Sequence, residues 1–211
     1  MRSPRRRRGS VVLVLLLVVG ALLVAADLTA RSAAEQELAR RVEAAVPEAG
    51  SAAVDIPSFP FLPGLLSSGS VPRLNAQVRD ISVKRVRFDF IAVELHGVRL
   101  DRDELVRNRE IVLQDIERGQ VRGEVPEGSL SDAFGVPVRL DDGRAEVTVA
   151  GAILGADLSI SDGRLQVSGL GIRLPSVDLT GPLLPCIADA VILSGRVVLT
   201  CDFTEVPAEL L

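Results

Sequence analysis

Residues 86–95 read VRFDFIAVEL, and their apolar side chains recur at every second position. Alternation with a period of two is typical of a β-strand that packs one face against a core. The pattern occurs here in two opposite phases, first at Val86, Phe88 and Phe90 and then at Ile91, Val93 and Leu95. A change of phase predicts a β-bulge or a strong bend. The stretch therefore predicts a bent strand in a sheet with one apolar face.

Alternating segments continue on both sides of this stretch. Leu74, Ala76 and Val78 alternate before it, and three pairs of alternating segments follow it. Within each pair the segments are separated by a short turn, at Asp142-Gly143, Asp162-Gly163 or Ser194-Gly195. Such turns are typical of β-hairpins, so the second half of the chain is predicted to be antiparallel sheet. Short helical turns are predicted at residues 60–67, 102–107 and 129–134.

Residues 27–46 are predicted to form a long amphipathic helix. Their apolar side chains recur at helical spacing, at Ala30, Ala34, Leu38, Val42, Ala45 and Val46. Pro47 and Gly50 are expected to end the helix. No second helical pattern of this length follows in the sequence.

These elements predict an α+β fold in which a strongly curved antiparallel sheet, a half-barrel or a tube, wraps around one long N-terminal helix. One helix cannot cover eight or more strands, so the sheet must curl. The chain has no Trp or Tyr and only six Phe, so its interior is aliphatic. An acyl-chain cavity between the sheet and the helix stripe Leu38, Val42 and Val46 would fit this pattern. A fully packed core would fit it as well.

Met1 to Ala26 is predicted to be an export leader, followed by a single domain over residues 27–211. Arg2 and Arg5 to Arg8 precede sixteen residues, Val11 to Ala26, that carry no charge. Sixteen helical residues span roughly 24 Å, less than the ~30 Å of a hydrocarbon layer, which favours a signal peptide. The helix that follows would equally suit an uncleaved signal anchor. Either way, the body is expected outside the cytoplasm, secreted or anchored to the plasma membrane in a periplasm-like envelope.

The charge of the body argues against nucleic acid as a partner. Five of the 24 basic residues lie in the leader and none of the 28 acidic residues does, so the body carries 19 positive against 28 negative side chains. Binding to nucleic acid normally needs a basic surface. The leader arginines are expected to orient the chain in the membrane.

Both cysteines, Cys186 and Cys201, lie in the exported part and flank the predicted hairpin around Ser194-Gly195. A disulfide is therefore predicted, since an exported chain meets an oxidising environment. Two buried free thiols are the alternative.

Residues for catalysis or metal binding are scarce. His96 is the only histidine and lies on a predicted strand, with no Gly-x-Ser-x-Gly motif in the chain. No phosphate-binding glycine loop and no metal-ligand spacing occur. The protein is therefore predicted to be no enzyme and to use no metal or cofactor.

Residues 56–69 read IPSFPFLPGLLSSG, a stiff apolar loop with three prolines. Together with the leader, the Asp-headed helix, the alternating strands and the ending "LPC…LTCDFTEVPAELL", this loop resembles the LmeA family of actinobacterial envelope proteins. The resemblance implies a tubular or half-barrel fold that binds phospholipid, with no catalytic residues. Phe59, Pro60, Phe61 and Leu62 match the family's FPFL motif. The alternative for this loop is a core plug between helix and sheet.

The predicted function is phospholipid binding in the cell envelope, with the membrane as a partner. The residues predicted to contact lipid come from the helix, the apolar loop and the central strand: Leu38, Val42, Val46, Phe59, Phe61, Leu62, Leu65, Phe88 and Phe90. The rival hypothesis is a structural or scaffolding envelope protein with a packed core, acting through an unidentified protein partner.

Overall fold

A computed structural model describes most of the chain, namely residues 5–46, 50–108, 111–161, 163–169, 174–179, 186 and 188–205. Helix α1 (Arg5–Ala45) runs without interruption from the leader into the body. Its segment from Leu13 onward is long and apolar enough to cross a membrane, with a mean hydropathy of 2.6 over its most apolar window. The predicted helix of residues 27–46 is thus the second half of one 41-residue helix. Pro47, expected to end it, lies outside the described residues.

The strands form two antiparallel sheets. The first sheet has the order β1-β2-β3-β5-β12-β11, with β4 paired to the end of β3. Its strands are β1 (Ser51–Asp55), β2 (Ser70–Val83), β3 (Val86–Leu100), β4 (Leu113–Asp115), β5 (Arg118–Pro126), β11 (Asp189–Leu193) and β12 (Arg196–Phe203). The second sheet has the order β10-β9-β8-β7-β6. Its strands are β6 (Val138–Asp141), β7 (Arg144–Val149), β8 (Ala152–Ser161), β9 (Arg164–Ser168) and β10 (Val177–Asp178).

The three predicted hairpins are present as β6–β7, β8–β9 and β11–β12, each an antiparallel pair. Asp162, in the turn of the second hairpin, lies outside the described residues. The three predicted helical turns are α2 (Phe61–Ser68), α3 (Arg102–Arg107) and α4 (Glu127–Phe134). Helices α2 and α4 end at Gly69 and Gly135, whose positive φ angles of 66° and 71° suit glycine. The local patterns thus predicted these elements correctly.

Helix α3 begins at a carboxylate cap. Asp101 accepts hydrogen bonds from the backbone N–H groups of Glu104 and Asp103, at 3.1 and 2.9 Å. The bond from Glu104 is the main reason why the pKa of Asp101 lies below its usual value. The stabilisation that this cap gives to α3 is therefore present at neutral pH, and it is lost as the pH falls through the lowered pKa.

The two long strands β2 and β3 bend together. Apolar positions change phase on both strands at the same level, between Val78 and Ile81 and between Phe88 and Ile91. Asp80 has a φ of 51° at this level, a left-handed conformation that turns the strand. Gly97 on β3, with a φ of 61°, marks a second change of phase. The bend predicted from the sequence is therefore present, and a second one accompanies it.

Two groups of buried apolar side chains hold the fold together. The main cluster lies where both sheets and α4 meet; among its members are Ile91, Val121, Leu130, Val147 and Leu199. The smaller cluster, called here the N-terminal cluster, contains Ile56, Phe61, Val71, Val98 and Ile116. Helix α1 reaches both clusters, because Leu38 packs against the N-terminal cluster and Val42 and Val46 against the main one.

The second sheet covers much of the apolar face of the first. The sequence pattern predicts instead that curling of a single sheet around the helix buries this face. Strands β6, β7 and β9 bury alternate side chains in the main cluster. The described strands do not close into a barrel, since the first sheet ends at β1 and β11 and the second at β10 and β6. The closed tube is therefore not formed, and the curved half-barrel stays a proposal. The second layer was not predicted because alternation along a strand does not tell whether a helix or another sheet covers its apolar face.

Helix α1 protects the free edge of β1. The backbone N–H of Ala52 donates to Oε1 of Glu43 at 3.3 Å, and the N–H of Ile56 donates to Oε1 of Glu35 at 2.9 Å. Unpaired N–H groups on an edge strand would otherwise offer a template for another strand. The carboxylates of α1 thus take the place of a neighbouring strand.

The two cysteines lie together as predicted. The Cα atoms of Cys186 and Cys201 are 5.9 Å apart and their sulfur atoms are within bonding distance. In protein recovered from outside the cytoplasm, we predict that neither cysteine reacts with an alkylating agent before reduction and that both react after it. Closure of a 15-residue loop contributes about 3 kcal/mol to stability in the chain-entropy model. Intact-mass measurement decides the question, and two alkylated cysteines in unreduced protein would contradict the prediction.

Candidate functional site

The middle of the first sheet carries an apolar strip that is only half covered. It consists of five side chains on β1, β2 and β3, called here the aliphatic strip: Val54, Leu74, Ala76, Val93 and Leu95. Val54 lies in register with Ala76 and Ala76 with Val93, while Leu74 lies opposite Leu95. All five are half-buried, whereas Val78 and Ile91 at one end and Val71 and Val98 at the other are fully buried. The strip is therefore an open section between two packed ends.

The two bends explain why the strip is continuous with both clusters. Leu74 and Leu95 pack against the N-terminal cluster, and Val93 packs against the main cluster. Leu38 and Val42, one turn apart on α1, reach the same two clusters. The helix stripe and the strip thus border the junction of the two packed regions. A half-buried apolar surface of this kind is a place where an apolar ligand can replace water.

Phe203 on β12 packs against both clusters and so lies at this junction. A Cβ atom on its partner Gly119 would lie 2.2 Å from the Phe203 ring, so the ring lies directly on the glycine. Gly119 therefore provides the space that this ring occupies. The sequence prediction did not include Phe203. The alternation of Leu199, Cys201 and Phe203 was the available signal for it.

The apolar loop is tied to helix α1 by a buried carboxylate. Asp27 is only 4% exposed, and its two oxygens accept the backbone N–H groups of Phe61, at 3.0 Å, and Leu62, at 2.6 Å. These are orphan N–H groups in the first turn of α2, which Pro60 leaves without a side-chain cap. Asp27 thus caps α2 from another helix, an arrangement called here the Asp27 clasp. The sequence prediction missed it, because a lone Asp between apolar residues and a helix resembles a surface residue.

The structure separates the predicted lipid-contact residues of the loop. Phe61 is 6% exposed in the N-terminal cluster, and Leu62 and Leu65 are half-buried against that cluster. Phe59 instead is 63% exposed. Phe61, Leu62 and Leu65 therefore lie with Leu38 at one end of the strip, whereas Phe59 points away from the packed region.

The two phenylalanines of β3 also have different positions. Phe88 is fully buried in the main cluster, against Gly123, where an added Cβ would lie 3.1 Å from its ring. Phe90 is half-buried and lies in register with Arg79 and Glu124 on the polar face. The structure therefore brings Phe88 together with Val42 and Val46 in the main cluster, and it places Phe90 elsewhere.

The opposite face of the same strands is polar. A shallow concavity of about 400 Å³ adjoins these strands. Its lining includes three residues of the aliphatic strip, Val54, Ala76 and Val93, together with Ala53, Asp55, Asn75, Gln77, Ala92, Glu94, Gln120 and Arg122. Arg31 on α1 donates to Asp55 and, through Nε, to Glu35, and the bond to Glu35 is the main reason why the pKa of Arg31 is raised. The side-chain oxygen of Asn75 has no hydrogen-bond partner within the described part of the chain. With both signs of charge on its wall, this concavity offers no concentrated field for an anion.

Groups for catalysis are no more evident in the structure than in the sequence. His96 is half-buried, with Nε2 2.9 Å from Oε1 of Glu94 on the polar face of the sheet. Among the described residues, no group of three or more His, Cys, Asp or Glu side chains could hold a metal ion. What the geometry offers is apolar contact area.

A family comparison is consistent with this geometry. Residues 25–203 match the family model described as LmeA-like phospholipid-binding. The chain belongs to the LmeA-like phospholipid-binding family. The match runs from just before the Asp27 clasp to Phe203, so it includes α1 beyond the leader and both sheets. Comparison with curated proteins and with solved structures returns no match. Membership of this family supports a lipid-binding role, and the family is not a known enzyme class.

Proposed function

We propose that the protein is an exported, non-enzymatic phospholipid-binding protein of the cell envelope that holds acyl chains along the aliphatic strip. The observation that carries the proposal is the half-covered state of the strip between two fully packed clusters, in a chain of a phospholipid-binding family. An acyl chain lying there would complete the cover that neither α1 nor the second sheet provides.

The proposed contacts follow from the positions of the side chains. Leu38 and Val42 form the wall contributed by α1, with Val46 at the end of the same stripe. Phe61, Leu62 and Leu65 close the strip at the N-terminal cluster. Phe88 supports the main cluster behind the strip, and Phe90 and Phe59 contact no part of it in this proposal.

Apolar contact is sufficient to explain binding. Each methylene group removed from water contributes about 0.8 kcal/mol, so part of one acyl chain offsets the entropy lost on ordering it. The headgroup would remain near solvent at the edge of the sheet. Because the body is acidic, with 19 basic against 28 acidic side chains, we expect only modest selectivity between headgroups.

Lipid carried through purification tests the proposal. Organic-solvent extraction of the purified protein, followed by mass spectrometry, should yield close to one phospholipid per chain. A protein of similar size without a lipid site, purified in parallel by the same procedure, sets the background. Absence of retained or transferable phospholipid would favour the rival hypothesis, a scaffolding protein with a packed core.

The proposed location is extracytoplasmic. The test uses a reporter enzyme, fused after Leu211, that is active only outside the cytoplasm. We expect the full-length fusion to be active, because the arginines before the apolar segment resist translocation and the rest of the chain crosses the membrane. As a control, the same reporter fused to residues 27–211, which lacks the leader, should score as cytoplasmic. An expressed but inactive full-length fusion would contradict the proposed location.

A further inference from the structure

Three large apolar side chains are exposed around the Asp27 clasp. Leu28 on α1 is 51% exposed, Phe59 before α2 is 63% exposed, and Leu66 on α2 is 57% exposed. They belong to segments that the clasp joins, since Asp27 binds the N–H groups of Phe61 and Leu62. Leu28 follows Asp27, Phe59 lies two residues before Phe61, and Leu66 lies one helical turn after Leu62. These three exposed side chains beside the clasp are called here the clasp surface.

The clasp surface is continuous with the apolar part of α1. Residues from Leu13 to Val24 are largely exposed, and α1 continues without a break through Asp27. The clasp therefore holds α2 level with the residue at which the apolar segment ends. If α1 spans a bilayer, α2 must lie at the surface of that bilayer.

The length of the apolar segment favours close contact. Sixteen helical residues span roughly 24 Å, so the segment is about 6 Å shorter than a typical hydrocarbon layer. A short span is accommodated by thinning of the bilayer or by drawing flanking residues into the interface. Leu28, Phe59 and Leu66 are suited to that position. The carboxylate of Asp27 is tolerated at the boundary because it is buried and bonded to two N–H groups.

We propose that the clasp surface docks on the phospholipid bilayer that α1 spans, with Phe59 and Leu66 entering its interfacial layer. The bilayer surface would then cover this apolar face. Docking extends the proposed function, because it would place the N-terminal end of the aliphatic strip next to the membrane from which a lipid could enter.

Single-tryptophan variants test the docking directly, because the chain has no tryptophan of its own. The full chain carrying Phe59→Trp or Leu66→Trp is reconstituted into vesicles of phosphatidylcholine and phosphatidylglycerol, and lipids with brominated acyl chains are used as quenchers. Ile153→Trp and Val191→Trp are matched controls, since these side chains are 68% and 55% exposed on strands away from α2.

We expect brominated vesicles to reduce the fluorescence of Phe59→Trp and Leu66→Trp at least two-fold and to leave both controls unchanged. Quenching should rise steeply with the fraction of brominated lipid, because several bilayer lipids surround each indole. Quenching that saturates at one brominated lipid per protein would indicate a bound ligand and would overturn the docking proposal. Equal fluorescence in brominated and ordinary vesicles would overturn it too. Lipid extraction from the same samples tests the proposed function separately. Quenching without retained lipid would support docking but not the proposed function, and retained lipid without quenching would support the proposed function but not docking.

Discussion

Replacing Asp27 by alanine should lower the free energy of unfolding by about 2–4 kcal/mol. The substitution removes a charged acceptor and leaves the N–H groups of Phe61 and Leu62 without a partner beside a packed cluster. Loss of an ordinary exposed N-cap would have a smaller effect, typically about 1 kcal/mol. Chemical denaturation of the full chain in detergent, followed by circular dichroism, measures the difference.

A matched control lies on the same helix. Glu37 pairs with Arg40 and Arg41 at 2.7 and 3.1 Å, but on an exposed surface. Exposed ion pairs contribute little, so Glu37→Ala should leave the unfolding free energy nearly unchanged. Asp27→Asn should fall between the two variants, because the amide keeps one acceptor oxygen. If Asp27→Ala proved no more harmful than Glu37→Ala, the clasp would not hold α2 to the helix.

Filling the aliphatic strip should remove the bound lipid while the protein stays folded. Ala76 lies at the centre of the strip, in register with Val54 and Val93, and is half-buried. A phenylalanine at this position would occupy the volume proposed for the acyl chain. We expect Ala76→Phe to reduce retained phospholipid at least ten-fold, with a change in melting temperature of only a few degrees.

Ala92→Phe is the matched control for this prediction. Ala92 is also half-buried and precedes Val93 on β3, so strand alternation places its side chain on the face opposite to Val93 and to the Val93 partner Ala76. It should therefore retain lipid at the level of the unsubstituted protein. The reverse result, with lipid lost from Ala92→Phe and kept by Ala76→Phe, would place the ligand on the polar face of the sheet.

Much of the fold was predictable because its signals are local. Turn residues such as Asp142-Gly143 and Ser194-Gly195 specify hairpins within a few positions, and the phase change around Phe90 reports the bend in β3. The approach of Cys186 to Cys201 follows from their placement around one hairpin. The packing of the second sheet against the first depends on tertiary contacts. It could not be predicted, because an apolar strand face shows the same alternation whether a helix or a second sheet covers it.

The site was less predictable, because it depends on contacts between distant segments. Nothing in the FPFL motif itself tells which phenylalanine is buried; Asp27, 34 residues away from Phe61, orients the loop so that Phe61 enters the cluster and Phe59 remains exposed. Phe88 and Phe90 share one alternation in the sequence, yet they lie on either side of the bend at Asp80. Phe88 pairs with Ile81 after the bend, and Phe90 pairs with Arg79 before it. Phe203 depends on the absence of a side chain at Gly119, on a different strand.

Photochemical labelling tests most directly whether an acyl chain lies along the aliphatic strip. The probe is a phospholipid that carries a diazirine near the middle of one acyl chain. After loading, illumination and digestion, mass spectrometry locates the labelled residues. We expect labels on the strands of the aliphatic strip, at Val54, Leu74, Ala76, Val93 or Leu95, and on Leu38 or Val42 of the facing helix. Labels confined to the polar face around Gln77 and Arg122, or to the second sheet, would contradict this expectation.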